Sequence, residues 1–181
     1  MVRKAAILLA IVLLAFTAAC SSTSTVVPTA GSGGTAAGVS STTSCPTHNT
    51  KSFAKTRFVA DAALAGGAFK RWIYDPAKAG KFKHGAHGRV LALVKAAAAG
   101  AFVINRLDAA KSNAEANPTL CKLIVAPLSR LKSSITGLVS KSHSGNISDS
   151  DVTSTNGLLE GFRGAATQGG AGFTDNTNAS I

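Results

Sequence analysis

The sequence predicts an all-α protein, a small four-helix bundle-like domain that follows a signal peptide and a disordered Ser/Thr/Gly linker. Three observations predict it: apolar residues recur at spacings of three and four from about residue 50, β-branched runs are scarce, and helix caps or breakers separate the periodic segments. The predicted boundaries are a signal peptide over 1–19, a linker beginning with cysteine over 20–49, a helical domain over 50–173 and a disordered tail over 174–181.

The first nineteen residues have the pattern of a cleavable export signal. Arg3 and Lys4 precede an uncharged apolar run from Ala5 to Phe16, and small residues over 17–19 precede Cys20. The apolar run is about a dozen residues, which is too short for a comfortable membrane-spanning helix. We therefore expect the protein to leave the cytoplasm.

Cys20 closes that segment with a lipid-attachment pattern. Phe16-Thr17-Ala18-Ala19-Cys20-Ser21-Ser22 resembles the lipobox of bacterial lipoproteins, in which the cysteine is acylated and starts the mature chain, although Thr17 stands where leucine is usual. The resemblance implies a protein anchored at the outer face of the cell membrane. Ordinary signal-peptidase cleavage, which would give an extracellular protein, and retention as an uncut anchor are the alternatives.

The two remaining cysteines form an even pair in an oxidising compartment. With Cys20 acylated, a disulfide between Cys45 and Cys121 is the simplest outcome, and two free thiols with Cys121 buried in a helix are the alternative. Residues 21–44 carry no charge and consist almost wholly of Ser, Thr, Gly, Ala and Val. This composition predicts a flexible tether.

A first helix is predicted to end near Asp75-Pro76, because proline disfavours the helical conformation of the residue before it. Asp61 pairs most simply with Arg57 at helical spacing. Ala65-Gly66-Gly67-Ala68 forms a patch of small residues inside this helix. The predicted buried stripe is Phe58, Ala62, Ala65, Phe69 and Trp72 or Ile73.

A second helix is predicted after Gly88, extending to about Asn113. Ala96 to Ala99 followed by Gly100 is a second small-residue patch, and the two patches predict backbones packed unusually close together. The fifteen residues 90–104 carry one charge, Lys95, but are too short and too rich in alanine for a membrane span. The predicted stripe is Val90, Leu93 or Val94, Ala97, Ala101, Ile104 and Leu107 or Asp108.

A third helix is predicted to open with Asn117 as N-cap and Pro118 at its first position. Pro127 lies inside it and is expected to kink the helix or split it. A fourth helix is predicted from Ser148, with a capping-box variant at Asp151, to the glycines at 169, 170 and 172. The third stripe is Leu120, Ile124, Leu128, Leu131, Ile135 and Leu138; the fourth is Val152, Leu159, Phe162 and Ala166, with Ile147 stapled onto Val152.

Charge is the clue to binding partners. Beyond residue 19 the chain holds 17 Lys and Arg against 8 Asp and Glu, a net charge of +9, and seven of these cations fall between residues 70 and 95 against one acid. Anionic wall polymers or phospholipids are the expected partners outside a cytoplasm; a solvated loop is the alternative, and no specific nucleic-acid motif occurs. The candidate polyanion-binding residues are Lys70, Arg71, Lys78, Lys81, Lys83 and Arg89.

Enzymatic signatures are missing from the sequence. No nucleophile elbow, phosphate loop or dinucleotide fingerprint occurs, so we expect neither catalytic residues nor a cofactor. His84 and His87 alone have a spacing that metal ligands use, but flanking Lys83 and Arg89 would repel a cation. We therefore predict a non-enzymatic binding or structural module; a secreted enzyme or metal-binding protein with a site near the two histidines is the alternative.

Two segments resemble an uncharacterised family of actinobacterial secreted or lipid-anchored proteins. They are the run from Phe58 to Pro76, FVADAALAGGAFKRWIYDP followed by Lys78-Ala79-Gly80, and the later Asn117-Pro118-Thr119-Leu120-Cys121. The resemblance covers roughly residues 50–173. It implies a helical domain in the cell envelope, without any assigned functional residue.

Overall fold

A computed structural model describes residues 44–178 of the chain. The segments in which apolar residues recur at spacings of three and four are helical in it. The predicted signal peptide, Cys20 and most of the linker lie outside these residues, and the described residues form one compact unit. No strand occurs in the described part, which agrees with the all-α prediction. The helices are α1 (Ala54–Phe69), α2 (Asp75–Lys78), α3 (Arg89–Glu115), α4 (Pro118–Ser144) and α5 (Asp149–Gln168).

The first helix does not end at Asp75-Pro76 as predicted. A π-helical turn, Lys70–Tyr74, joins α1 to α2, and Pro76 lies in the first turn of α2, where its missing N–H is not needed. The proline therefore opens a new turn, and helical backbone continues to Lys78. The predicted stripe is confirmed with Ile73, which is buried, whereas Trp72 is half-buried.

Helix α3 begins at Arg89 as predicted, but the predicted stripe over its first half is confirmed only at Leu93, one of the two residues offered at that position. Leu93, Ala96 and Gly100 are buried, whereas Val90 and Val94 are 74% and 61% exposed. Apolar residues surround this part of the helix, so periodicity alone could not choose the buried face. The buried face is the one that carries Ala96, Ala99 and Gly100, so small residues mark the side of α3 that packs in the core.

Helix α4 follows its prediction closely. The Asn117 side chain caps it by accepting a hydrogen bond from the Leu120 N–H at 3.0 Å, and all six residues of the predicted stripe are buried. Pro127 does not split the helix, which is continuous from Pro118 to Ser144. Proline removes one backbone hydrogen bond, and Ile124, Leu128 and Leu131, all buried, hold both sides of the interruption in the core.

Helix α5 begins with the predicted capping box. Ser148 accepts from the Asp151 N–H at 3.2 Å, and Asp151 accepts from the Ser148 N–H at 3.1 Å. The predicted stripe of α5 is buried, and the helix ends at Gln168, before Gly169. Four long helices, α1, α3, α4 and α5, thus enclose one core in a four-helix arrangement.

The disulfide between Cys45 and Cys121 is present, with 5.6 Å between the Cα atoms. It closes a loop across 76 residues, for which chain entropy predicts a stabilisation of roughly 4–5 kcal/mol. Asn117 also donates to the Asn49 side chain at 2.7 Å. The domain therefore begins before residue 50, and the predicted linker boundary at 49 is too late.

The C-terminal segment packs against α1, in contrast to the disordered tail predicted from residue 174. The Asn176 N–H donates to the Ala63 carbonyl at 2.9 Å, and Asp175 pairs with Arg163. A Cβ atom on Gly67 would overlap the Asn176 backbone. The glycines of α1 thus admit an extended segment rather than a second helix, because only they leave room for its backbone.

Gly100 of α3, by contrast, lies against another helix as predicted. A Cβ atom there would overlap the Val139 side chain of α4. Close approach of α3 and α4 therefore depends on this glycine.

Asp61 pairs with Arg106 of α3 and not with Arg57. Its carboxylate accepts hydrogen bonds from Arg106 at 3.2 Å and from Asn113 at 3.3 Å. Burial raises the pKa of Asp61 above its usual range, while Arg106 and Asn113 act in the opposite direction. Asp61 faces the interior side of α1, so a partner on α3 is nearer to it than the exposed Arg57.

Candidate binding surface

The basic segment is partly helical and held to the bundle, where the sequence predicted a loop. Lys70 and Arg71 lie in the π-helical turn, Lys78 ends α2, and Arg89 starts α3. Phe82 is 4% exposed and anchors the intervening loop in the core. The cations on this segment are therefore held on a rigid support.

Arg89 has a structural role. Its guanidinium donates to the Phe82 carbonyl at 2.9 Å and to the Gly145 carbonyl at 2.5 Å. These two hydrogen bonds tie the 79–88 loop to the end of α4. Arg89 is consequently less available to a ligand than its charge suggested.

Lys70 and Arg71 are also partly engaged. Lys70 pairs with Glu160 at 3.4 Å and lies 4.9 Å from the centre of the Tyr74 ring. Arg71 donates to the Thr177 carbonyl at 2.9 Å but remains exposed. Lys70 thus has an acidic partner, whereas Arg71 forms no ion pair with a described acid.

Lys78 and Lys81 are candidate lysines that have no acidic partner among the described residues. Both are exposed, and neither forms an ion pair with a described residue. Lys83 lies 3.8 Å from Asp149, but both side chains are more than half exposed, so this contact contributes little. The usable charge is therefore concentrated at Lys78, Lys81, Lys83 and Arg71.

Three cations converge around the single tryptophan of the chain. Arg71, Lys81 and Lys95 line a hollow of about 310 Å³ together with Trp72 and Leu91. The Arg71 guanidinium lies 5.0 Å from the indole centre and the Lys95 ammonium 5.3 Å, which are cation–π distances. We call this feature the cationic hollow.

Lys95 was missing from the predicted site, which ended at Arg89, the first residue of the same helix. Its position four residues after Leu91 is the signal that could have linked it to this surface, since residues at that spacing share a helix face.

A larger groove runs between α3 and α4. Its volume is about 590 Å³. Apolar side chains of α3 form one wall of the groove, and Val139 and the last residues of α4 form the other. Its lining includes Val90, Ala97 and Ala101, which the sequence predicted to be buried, and Val94, the predicted alternative to Leu93. The misassigned stripe of α3 is thus an accessible apolar surface.

His84 and His87 are both exposed. Among residues 44–178 no group of three or more His, Cys, Asp or Glu side chains is placed to hold a metal ion. His87 instead lines the cationic hollow.

Helix α3 is the one helix in the described range that is long and apolar enough to cross a membrane by length and composition. Core helices of soluble bundles satisfy the same criterion. One third of its most apolar stretch, 33%, is buried inside the protein. α3 packs against α1 and α4, as the overlap at Gly100 and the Arg106–Asp61 pair show.

No known family model, no curated protein and no solved structure matches this chain.

Proposed function

We propose that this protein is a cell-envelope lipoprotein whose non-enzymatic helical domain binds an anionic surface of the envelope. The observation that carries the proposal is the convergence of Arg71, Lys81 and Lys95 around Trp72, with Lys78 unpaired nearby. Phosphate groups are the shared chemistry of anionic phospholipids and wall polymers, and clustered cations attract both.

Export and anchoring rest on the N-terminal pattern and on the disulfide. Cys45 and Cys121 are joined, which suits an oxidising compartment outside the cytoplasm. Acylation of Cys20 would then hold the domain at the outer face of the membrane. Replacing Cys20 with Ala should leave the precursor unprocessed or release the protein from membranes; identical maturation and partitioning of this variant and wild type would refute the anchor.

The binding surface is tested by charge reversal. The variant Lys78→Glu, Lys81→Glu, Lys95→Glu reverses three exposed lysines that lack a described acidic partner. Each cation near an anionic bilayer contributes about 1 kcal/mol, so the variant should bind phosphatidylglycerol vesicles at least about a hundredfold more weakly. Binding should also weaken with salt, because the Debye length falls from about 30 Å at 0.01 M to about 8 Å at 0.15 M.

The matched control is Arg57→Glu, Lys122→Glu, Arg130→Glu. These three residues are exposed elsewhere on the domain, and their reversal changes the net charge by the same amount. Residues 20–181 carrying Cys20→Ser are used for both variants, so that no acyl chain contributes. Equal losses of vesicle binding in the two variants would indicate nonspecific attraction by net charge. No loss of binding in either variant would mean that the cations only form a solvated surface.

A further inference from the structure

We infer that three exposed aliphatic side chains beside the cationic hollow insert into the interfacial region of an anionic phospholipid bilayer. They are Val90, Leu91 and Val94 on the first two turns of α3, and we call them the aliphatic ridge. This inference rests on the proposed function and narrows it from anionic surfaces to lipid.

The ridge is the main cluster of exposed large apolar side chains in the described region. Val90, Leu91 and Val94 are 74%, 60% and 61% exposed, and the other two large hydrophobic residues that are exposed, Phe53 and Leu123, lie on other parts of the chain. Val94 lies four residues after Val90 and three after Leu91, and side chains at these two spacings are neighbours on a helix surface. Clustered apolar exposure of this kind marks an interaction surface, whereas isolated apolar residues need no explanation.

Small apolar residues extend the ridge along α3. Ala97, Ala98 and Ala101 continue from Val94 and line the 590 Å³ groove. Residues 90 to 101 span about 16 Å of helix at 1.5 Å per residue. The apolar strip is therefore about three turns long, a length suited to lying along an interface.

Cations flank the ridge at positions where lysine side chains can reach lipid phosphates. Leu91 lines the cationic hollow with Lys81, Lys95 and Arg71. Lysine can lay its methylene stem on apolar surface while its ammonium stays among headgroups. Arg71, Lys81 and Lys95 form no ion pair with a described acid, so positive charge dominates the rim of the hollow.

The combination of aliphatic and cationic groups favours a bilayer over a wall polymer. A phosphate polymer offers partners for the lysines but no hydrocarbon for Val90, Leu91 and Val94. An anionic bilayer offers both in adjacent layers, phosphates among the headgroups and hydrocarbon just below them, and an amphipathic helix with lysines beside its apolar face is the usual element for such a surface.

The predicted anchor and the ridge can reach the same membrane. Cys121 is in the first turn of α4 and Gly145 at its end contacts Arg89, so the ridge and the disulfide lie at opposite ends of the α3–α4 pair. The 27 residues of α3 measure about 40 Å. The 24 residues between Cys20 and Cys45 can extend to about 80 Å, which exceeds that distance.

The test uses the single tryptophan as an internal reporter. Trp72 lies in the hollow beside Leu91, so vesicles of phosphatidylglycerol with brominated acyl chains should quench its fluorescence when the ridge inserts. The variant Val90→Ser, Leu91→Ser, Val94→Ser in residues 20–181 with Cys20→Ser should lose this quenching. Its partition coefficient for phosphatidylglycerol vesicles should fall at least about tenfold, because three aliphatic groups no longer leave water.

The control variant is Phe53→Ser, Leu123→Ser, which removes exposed apolar groups elsewhere and should partition as the parent chain does. Circular dichroism should show the same helix content for all chains, because the ridge has no place in the core. Binding to poly(glycerol phosphate) should be unchanged in the ridge variant and weakened in the charge-reversal variant.

These outcomes separate the two proposals. Equal vesicle partitioning of the ridge variant and the parent, with weaker binding by the charge-reversal variant, would overturn insertion and leave anionic binding intact. Failure of the charge-reversal variant to lose binding would overturn the proposed function itself. A concentration-dependent dimer that the ridge variant abolishes, without vesicle binding, would assign the ridge to a second copy of this chain and overturn the lipid inference.

Discussion

Helices α3 and α4 have the same length, 27 residues each, yet only α4 buries the face that its sequence predicts. In α4 six large aliphatic residues form one buried stripe, and three others, Leu123, Val125 and Val139, lie outside it. In α3 valine, leucine and alanine surround the first half, and Val90 and Val94 end up exposed. A clean stripe determines a buried face, whereas an apolar surplus leaves residues outside the core that are available for another role.

The largest expected difference between the two helices is in the stability lost when one aliphatic side chain is truncated in each. Leu128→Ala removes a fully buried side chain from α4 and should lower the free energy of unfolding by about 2–5 kcal/mol. Val94→Ala removes an exposed side chain from α3 and should change it by no more than about 0.5 kcal/mol. Urea unfolding followed by circular dichroism measures both, and similar losses would mean that Val94 belongs to the core.

Alanine substitution of one glycine in each helix should change stability in opposite directions. In α3, Gly100→Ala places a Cβ atom against Val139, and overpacking should reduce stability by about 1 kcal/mol after the gain in helix propensity. In α4, Gly137→Ala meets no atom within 4 Å and should stabilise the protein by about 0.5–1 kcal/mol. Melting temperatures that move in the same direction would contradict the close approach of α3 and α4.

The smallest expected effect on stability comes from the contact between the end of α4 and Asp151, and it depends on pH. Hydrogen bonds from Lys141 of α4 and from Ser148 lower the pKa of Asp151 below its usual value of 3.8. The stabilisation is therefore present above about pH 4 and is lost as pH falls through the lowered pKa. Asp151→Asn should cost about 0.5–1 kcal/mol at neutral pH, less in acid, and parallel stability curves for the two chains would exclude this linkage.

Local signals predicted the local features. The caps at Asn117 and Ser148, the start of α3 after Gly88 and the stripes of α4 and α5 follow from short stretches of sequence, because each depends on residues within a few positions. The disulfide could be predicted from the number of cysteines, because the chain has three and acylation of Cys20 would leave two to pair. The all-α class follows from the same periodicity.

Features that join distant residues were not predictable in this way. Asp61 meets Arg106 across 45 residues, and Asn176 meets Ala63 across more than a hundred. The cationic hollow likewise combines Arg71 and Lys81 with Lys95 of the next helix. No local pattern distinguishes these partners from the other cations and acids of the chain.

The sequence by itself determined the helices, their caps, the cysteine pair and the excess of positive charge, because these depend on neighbouring residues or on composition. Only the tertiary structure decided which face of α3 is buried and which cations meet around Trp72. Packing made that choice: the face of α3 that carries Ala96, Ala99 and Gly100 is buried, with Gly100 against Val139 of α4, and the bulkier Val90, Leu91 and Val94 are turned outward.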